Sequence, residues 1–205
     1  MKQQLDNLSS VIKAFDDNKS LAEVTTVRSP SVANTRGCVD LTLLYRGYSR
    51  DNADHFYTNS IAEMVGYISE GAPAQLATRN SGTWINFGPC TGCGVHPRLS
   101  NASRIISLLA DHFYTTSDIE RDNAKAKFGY HEEISPGFCT STPSCGASEP
   151  LHRYWNPVIK DHFYIASENE FNIMKGGKHP DYNYEGITCY VWKNDFGPKW
   201  CPDVL

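Results

Sequence analysis

Several large classes of protein are excluded by what this chain lacks. No stretch of its 205 residues is apolar for the length of a bilayer-crossing helix, so a helical membrane span is not expected. There is no excess of basic charge: 19 Lys and Arg stand against 23 Asp and Glu. The resulting net charge of -4 argues against nucleic acid or an anionic membrane surface as partner. The start, Met1 to Asp6, is polar, and no apolar segment of a secretory leader follows it. Nucleophile-elbow serines, His-Glu-x-x-His pairs, phosphate-binding loops and dinucleotide fingerprints are missing as well. What the chain does have is aromatic residues and cysteine. It carries 11 Tyr, 9 Phe, 4 Trp and 7 Cys, with 40% apolar and 20% charged residues, a globular composition.

The aromatic residues fall into a repeat. Asp-His-Phe-Tyr occurs at Asp54 to Tyr57, Asp111 to Tyr114 and Asp161 to Tyr164. A serine stands six positions after each Asp, at Ser60, Ser117 and Ser167, and a glutamate nine after, at Glu63, Glu120 and Glu170. An aromatic-x-x-acid pair comes next: Tyr67 with Glu70, Tyr130 with Glu133, Tyr182 with Glu185. Upstream, Arg46 and Arg153 lie eight residues before their Asp, while the second copy offers Arg98 or Arg104. Matches of this number in register define copies of one unit of about 50 residues. The copies run approximately over 38–92, 93–145 and 146–201, within a repeat domain of residues 37–205.

Each copy predicts the same local structure. Leu-Tyr-Arg and Asp-His-Phe-Tyr, joined by turn-like residues, read as an antiparallel hairpin. Ser-x-x-Glu then reads as a capping box that opens a short helix. A third strand is expected near each aromatic-x-x-acid pair, and a fourth at Ile187 to Trp192 in the last copy. Units this small do not fold alone. The expected fold is therefore mainly β with short helices, its three repeats closed around a pseudo-threefold axis in a small propeller-like or trefoil-like arrangement. Residues 1–36 stand outside the repeats. Leu5, Leu8, Val11, Ile12 and Phe15 predict an amphipathic helix followed by a linker, with self-association through residues 1–16 as one use.

The seven cysteines sit near segment junctions, which suits staples in an oxidising compartment. The repeat logic pairs Cys139 with Cys145 and Cys189 with Cys201. Cys38 then pairs with Cys90 or Cys93, and one of those three is left over. Cys90 and Cys93 lack the second Cys-x-x-Cys of a zinc ribbon, so neither metal nor cofactor is expected. Candidate glycosylation acceptors are Asn7, Asn18 and Asn101.

The motif Asp-His-Phe-Tyr-Thr, with Leu-x-Arg upstream and Gly-Tyr-x-x-Glu-Gly downstream, resembles a family of secreted repeat domains of unknown function. The resemblance covers about residues 38 to 201 and implies an extracellular, non-catalytic, lectin-like module. The second copy departs from it by losing Leu-Tyr-Arg, and the third by carrying Ile165-Ala166 in place of Thr-Thr.

Three uses compete for the repeated residues. Catalysis needs one asymmetric constellation, whereas here the same Asp-His pair recurs in the same context, so the chain is not expected to be an enzyme. An architectural use puts Phe56, Phe113 and Phe163 in each core and pairs the arginine with a repeated carboxylate. A binding use takes Arg46, His55, Tyr57, Glu63, His112, Tyr114, Glu120, Arg153, His162, Tyr164 and Glu170 as candidate ligand contacts. Aromatic platforms with planar polar groups suit the two faces of a sugar, so the expected partners are glycans or glycoproteins. A structural subunit of an extracellular filament or matrix, built through the amino-terminal arm, is the alternative.

Overall fold

The computed structural model describes residues 39–69, 84–86, 99–106, 111–193 and 199–200. The arm over residues 1–36, Cys38, Cys90, Cys93, Cys201, Asn7 and Asn18 lie outside the described residues. In chain order the elements are β1 (Val39–Leu43), β2 (Tyr45–Ser49), β3 (Asp54–Thr58), α1 (Ile61–Ser69), β4 (Trp84–Asn86), β5 (Leu99–Ile106) and β6 (His112–Thr115). They continue as α2 (Asp118–Phe128), β7 (His131–Thr140), β8 (Glu149–Asn156), β9 (Asp161–Ile165), α3 (Glu168–Lys175), β10 (Asn183–Val191) and β11 (Lys199–Trp200). The protein is thus mainly β with few, short helices, and all these elements belong to one compact unit, Arg36–Leu205.

The expected hairpins are present in all three copies: β2 with β3, β5 with β6, and β8 with β9, each antiparallel. Their register settles the rival arginines. Arg46 faces Tyr57, Arg153 faces Tyr164, and in the second copy it is Arg104 that faces Tyr114. Arg104 precedes Asp111 by seven residues rather than eight, so a fixed spacing misses it. In the first and third hairpins the residue before the Asp, Ala53 or Lys160, takes a positive φ of 53° or 58°. That left-handed conformation closes the turn and is strained for a residue with a side chain.

Each hairpin leads into its helix through the expected serine. Ser117 and Ser167 are N-caps in extended conformation, and their side chains accept from the backbone N–H of Glu120 and Glu170. Ser60 Oγ accepts from Glu63 N at 3.2 Å. The capping glutamate does not complete the box in the usual way. Thr115 Oγ1 accepts the Ser117 N–H at 3.1 Å and donates in turn to Glu120, and Thr58 relays Ser60 to Glu63 likewise. The glutamate's other oxygen is thereby left for partners elsewhere. Gly129, at φ 70°, ends α2 by returning its N–H to the Ala124 carbonyl.

Beyond the helices two expectations need correction. The third strands β7 and β10 follow directly on Tyr130 and Tyr182, but Tyr67 lies within α1 and the first copy's strand is β4. The stretch from Ile187 is no separate fourth strand; it continues β10, which bends at irregularities near Gly186 and Thr188 while pairing with β8. Strands β4, β7 and β10 are neighbours in a nine-stranded sheet ordered β11-β1-β4-β7-β10-β8-β9, with β5 bridging β6 and β7. Hairpin β2–β3 forms its own two-stranded sheet.

The core sits where the three Asp-His-Phe-Tyr strands meet. Tyr57, Tyr114, Tyr164, Leu44, Leu151, Val191, Cys139 and Cys189 form one buried cluster. The cysteine expectation fails here. Cys139 bonds Cys189 rather than Cys145, and Cys189 therefore does not pair with Cys201. Both half-cystines stand 28 residues after the Asp of their own copy, so the bridge joins equivalent points of two copies instead of closing a local loop. Cys145 is also disulfide-bonded, to a residue outside those described.

Candidate functional site

The repeated residues meet between copies, always in the same direction. Tyr114 accepts the Tyr57 N–H through its hydroxyl at 2.8 Å and donates to the Tyr57 carbonyl at 2.8 Å. Tyr164 treats Tyr114 in the same way, and Tyr57 treats Tyr164 in the same way, which closes the cycle. The three rings pack edge to face at 5.4 to 5.5 Å. Burial first of all drives the phenols of Tyr57 and Tyr164 well above the usual tyrosine pKa. These three candidate contacts are thus buried, with each hydroxyl committed to a backbone pair.

The histidines follow the same cycle. His112 donates its N–H to Asp54 Oδ1 at 2.9 Å, and its Nδ1 lies 2.7 Å from Oδ2. His162 holds Asp111 and His55 holds Asp161 by the same two contacts. Tyr130 and Tyr182 add a hydroxyl to Asp111 and Asp161. The three buried carboxylates approach within 4.8 Å of one another. Backbone N–H groups and imidazoles from the next copy, and for Asp111 and Asp161 a phenol of their own copy, give them the hydrogen bonds that burial demands.

Arginines complete the interface. Arg46 makes a bidentate pair with Glu170 at 2.8 and 3.2 Å, and Arg153 one with Glu120 at 2.8 and 3.0 Å. Each guanidinium also lies over a phenylalanine of the preceding copy, Arg46 over Phe163 and Arg153 over Phe113. Burial alone lifts the Glu120 pKa. The hydrogen bonds of Arg153 and Thr115 and the Arg153 charge outweigh it and hold this carboxyl below the usual range. For Arg153, burial opposes the charge, but Glu120 and the other anionic neighbours raise its pKa still further. The side chain of Arg104 lies outside those described, and Glu63 has contacts beyond its Thr58 bond.

At the junction of the second and third copies this interface opens into a cleft of about 920 Å³. It is floored by Asp111, Phe113 and His162 and walled by Ile119, Ala124, Phe128 and Trp155. Glu120, Arg153, Glu185, Asn123 and Lys160 are its polar lining. The Trp155 ring packs on His162 at 4.4 Å, while Ile119 and Phe128 are 77% and 71% exposed. Arg153 holds Glu120 on its forked end, and its Nε lies 2.8 Å from Glu185 Oε2 as an ion pair without hydrogen-bond geometry. Among the described residues, Glu185 Oε1, the Asn123 amide and the Lys160 ammonium have no protein partner. A ligand in the cleft meets an aromatic wall, an apolar rim and both donors and acceptors.

A family model described as a domain of unknown function (DUF5648) matches residues 98–195. The matched segment takes in most of the second and third copies and every residue that lines the cleft. No curated protein and no solved structure matches the chain.

Of the candidate ligand contacts, Glu120, Arg153 and His162 come together in the cleft. His55, Arg46 and Glu170 meet at the junction of the third copy with the first, and His112 at that of the second with the first. Asn101 falls in β5. Trp155, Phe128, Ile119 and Lys160 carry no repeat signal because the copies differ at these positions. One signal for Trp155 was legible: it stands two residues beyond Arg153 on a strand and so shares its face.

Proposed function

We propose that this chain is a secreted, non-catalytic binding module whose three copies close around a pseudo-threefold axis and which recognises carbohydrate through the Trp155 cleft. The cyclic tyrosine and histidine contacts support the closure, since each copy uses the same side chains on the copy before it, and the arginines do so at the two junctions where they are described. The cleft carries the functional reading. Its volume lies within the range of small-ligand sites, of about 300–1,000 Å³. A pyranose offers an apolar C–H face to an aromatic ring and hydroxyls at its edge. Trp155 and Phe128 supply the first partner, and Glu185 Oε1, Asn123 and Lys160 supply the second.

The repeated ionisable groups support a non-catalytic role. Asp111 is engaged by His162 and Tyr130, and Glu120 by Arg153 and Thr115. Groups fixed this way hold the copies together and have little freedom to exchange protons with a substrate. The test is a glycan array followed by titration of the intact protein and of Trp155→Ala. Saturable binding lost at least tenfold in Trp155→Ala supports the reading. Absence of binding to every glycan class, or binding indifferent to Trp155, overturns it.

A further inference from the structure

The three junctions share their tyrosine and histidine contacts but differ in the residues at the wall positions. We infer that the module carries a single ligand site, at the junction of the second and third copies, and that Ala124 and Trp155 together determine it. The inference rests on the reading of the cleft as a ligand site and changes its valency: three copies give one site, not three.

Register identifies the equivalent positions. Trp155 faces His162 in its hairpin, Tyr48 faces His55, and Ile106 faces His112. The platform position is therefore an indole, a phenol and an aliphatic residue in turn. Tyr48 packs on His55 at 4.5 Å, as Trp155 does on His162 at 4.4 Å. The helix position seven residues after the N-terminal serine decides how much space lies beside the platform. It holds Ala124 in α2, Met174 in α3 and Tyr67 in α1.

The consequence of that difference is visible in the third copy. Met174 is buried and packs with Tyr154, Ile165, Phe163, Phe171 and Tyr182. Ala124 clusters with Phe113 and Tyr130, and it lines the cleft. An alanine in place of a methionine removes three heavy atoms from the wall, and the neighbours do not close over the space. Two rim positions reinforce the difference. Phe128 and Ile119 at the cleft correspond to Lys178 and Asn169 in the third copy, so the junction of the third copy with the first lacks this apolar rim. Among the described residues, aromatic platform, small wall and apolar rim coincide at the junction of the second and third copies.

Two probes separate this inference from the sugar reading. Phenol, a flat ring with one hydroxyl, needs only the walls; a panel of methyl glycosides needs the polar edge as well. Both are titrated into the intact protein while the tryptophan indole N–H resonances are followed, with stoichiometry from calorimetry. The expected result is saturation of the Trp155 resonance at one equivalent of phenol. Binding should weaken at least tenfold in Ala124→Met and in Phe128→Lys, and stay unchanged in Tyr48→Ala. Phe128→Lys alters an exposed side chain, so it remains informative if Ala124→Met does not fold. Two or three equivalents, or loss of binding in Tyr48→Ala with Phe128→Lys unaffected, overturns the single site. Saturation by phenol without any glycoside response supports the single site and removes carbohydrate as its ligand. Glycoside binding that follows Tyr48 keeps carbohydrate and removes the single site.

Discussion

The Tyr57 hydroxyl donates to the Tyr164 carbonyl at 2.7 Å and accepts the Tyr164 N–H at 2.9 Å, replacing a β-ladder pair with a single side chain. The three Asp-His-Phe-Tyr strands converge where neighbouring backbones lack a strand partner, and the phenol of one copy satisfies the backbone of another. This explains why a tyrosine, and not a phenylalanine, recurs at the centre of an apolar cluster. An aromatic ring fills the core, and its hydroxyl meets two backbone groups that burial would otherwise leave unpaired.

Replacing any of the three with phenylalanine should therefore be costly although the volume hardly changes. Each substitution strands one buried N–H and one buried carbonyl, and the expected loss is about 2–4 kcal/mol by urea unfolding. Tyr57→Phe, Tyr114→Phe and Tyr164→Phe should fall within about 1 kcal/mol of one another, because their bonding is the same. A loss under about 0.5 kcal/mol in all three would mean that water or another group takes over the backbone pair.

High pH should dissolve the same centre. Burial, before any other cause, raises the pKa of Tyr57, Tyr164, Tyr130 and Tyr182, with the Asp111 and Asp161 charges adding to the last two. The folded protein keeps these phenolic protons, and the unfolded chain gives them up near pH 10. Stability is thus fully present below about pH 10 and falls as the pH rises above it. Tyrosinate absorbance should rise in two parts, an early part from exposed phenols and a later one that coincides with loss of near-ultraviolet dichroism. Complete tyrosine ionisation with the fold intact would contradict the burial of these hydroxyls.

Much of this was legible in the sequence, and the reason is repetition. Hairpin, N-cap serine and helix follow from residues every copy repeats, so three noisy readings reinforced one another at Ser60, Ser117 and Ser167. The partners of those residues were not legible. Asp54 accepts His112 from the next copy, and Arg46 reaches Glu170 across 124 residues of chain. A repeat announces its positions but not whether the contacts run within a copy or between copies. The cleft was hidden for the opposite reason. It is made by Trp155, Ala124, Phe128 and Lys160, where the copies differ and repetition carries no signal.

Acid should loosen the junction that forms the cleft. The Arg153 pair holds the Glu120 pKa below the usual carboxylate range, against the opposing effect of burial. A depressed folded pKa means stability that is present above the unfolded value of about 4.3 and is lost as the pH falls through the folded one. Glu120→Gln should accordingly be less stable than the parent protein near neutral pH, and the gap should narrow below about pH 4. Thermal unfolding of the two proteins from neutral to acid pH measures this. A gap that is constant with pH would mean that the carboxylate's charge contributes nothing and only its hydrogen-bonding shape matters.

The Cys139–Cys189 bridge should prove the strongest single link between the second and third copies. It closes a 50-residue separation, a length for which loop closure in the unfolded chain is worth about 4 kcal/mol. Its half-cystines are 1% and 3% exposed, so a Cys139→Ala, Cys189→Ala protein keeps the apolar character of the site and loses chiefly the crosslink. The expected outcome is a loss of about 2–4 kcal/mol in urea unfolding. Non-reducing peptide mapping should recover Cys139 joined to Cys189, with Cys145 in a separate bridge. Recovery of a Cys139–Cys145 peptide would restore the local-loop pairing that the repeat spacing first suggested.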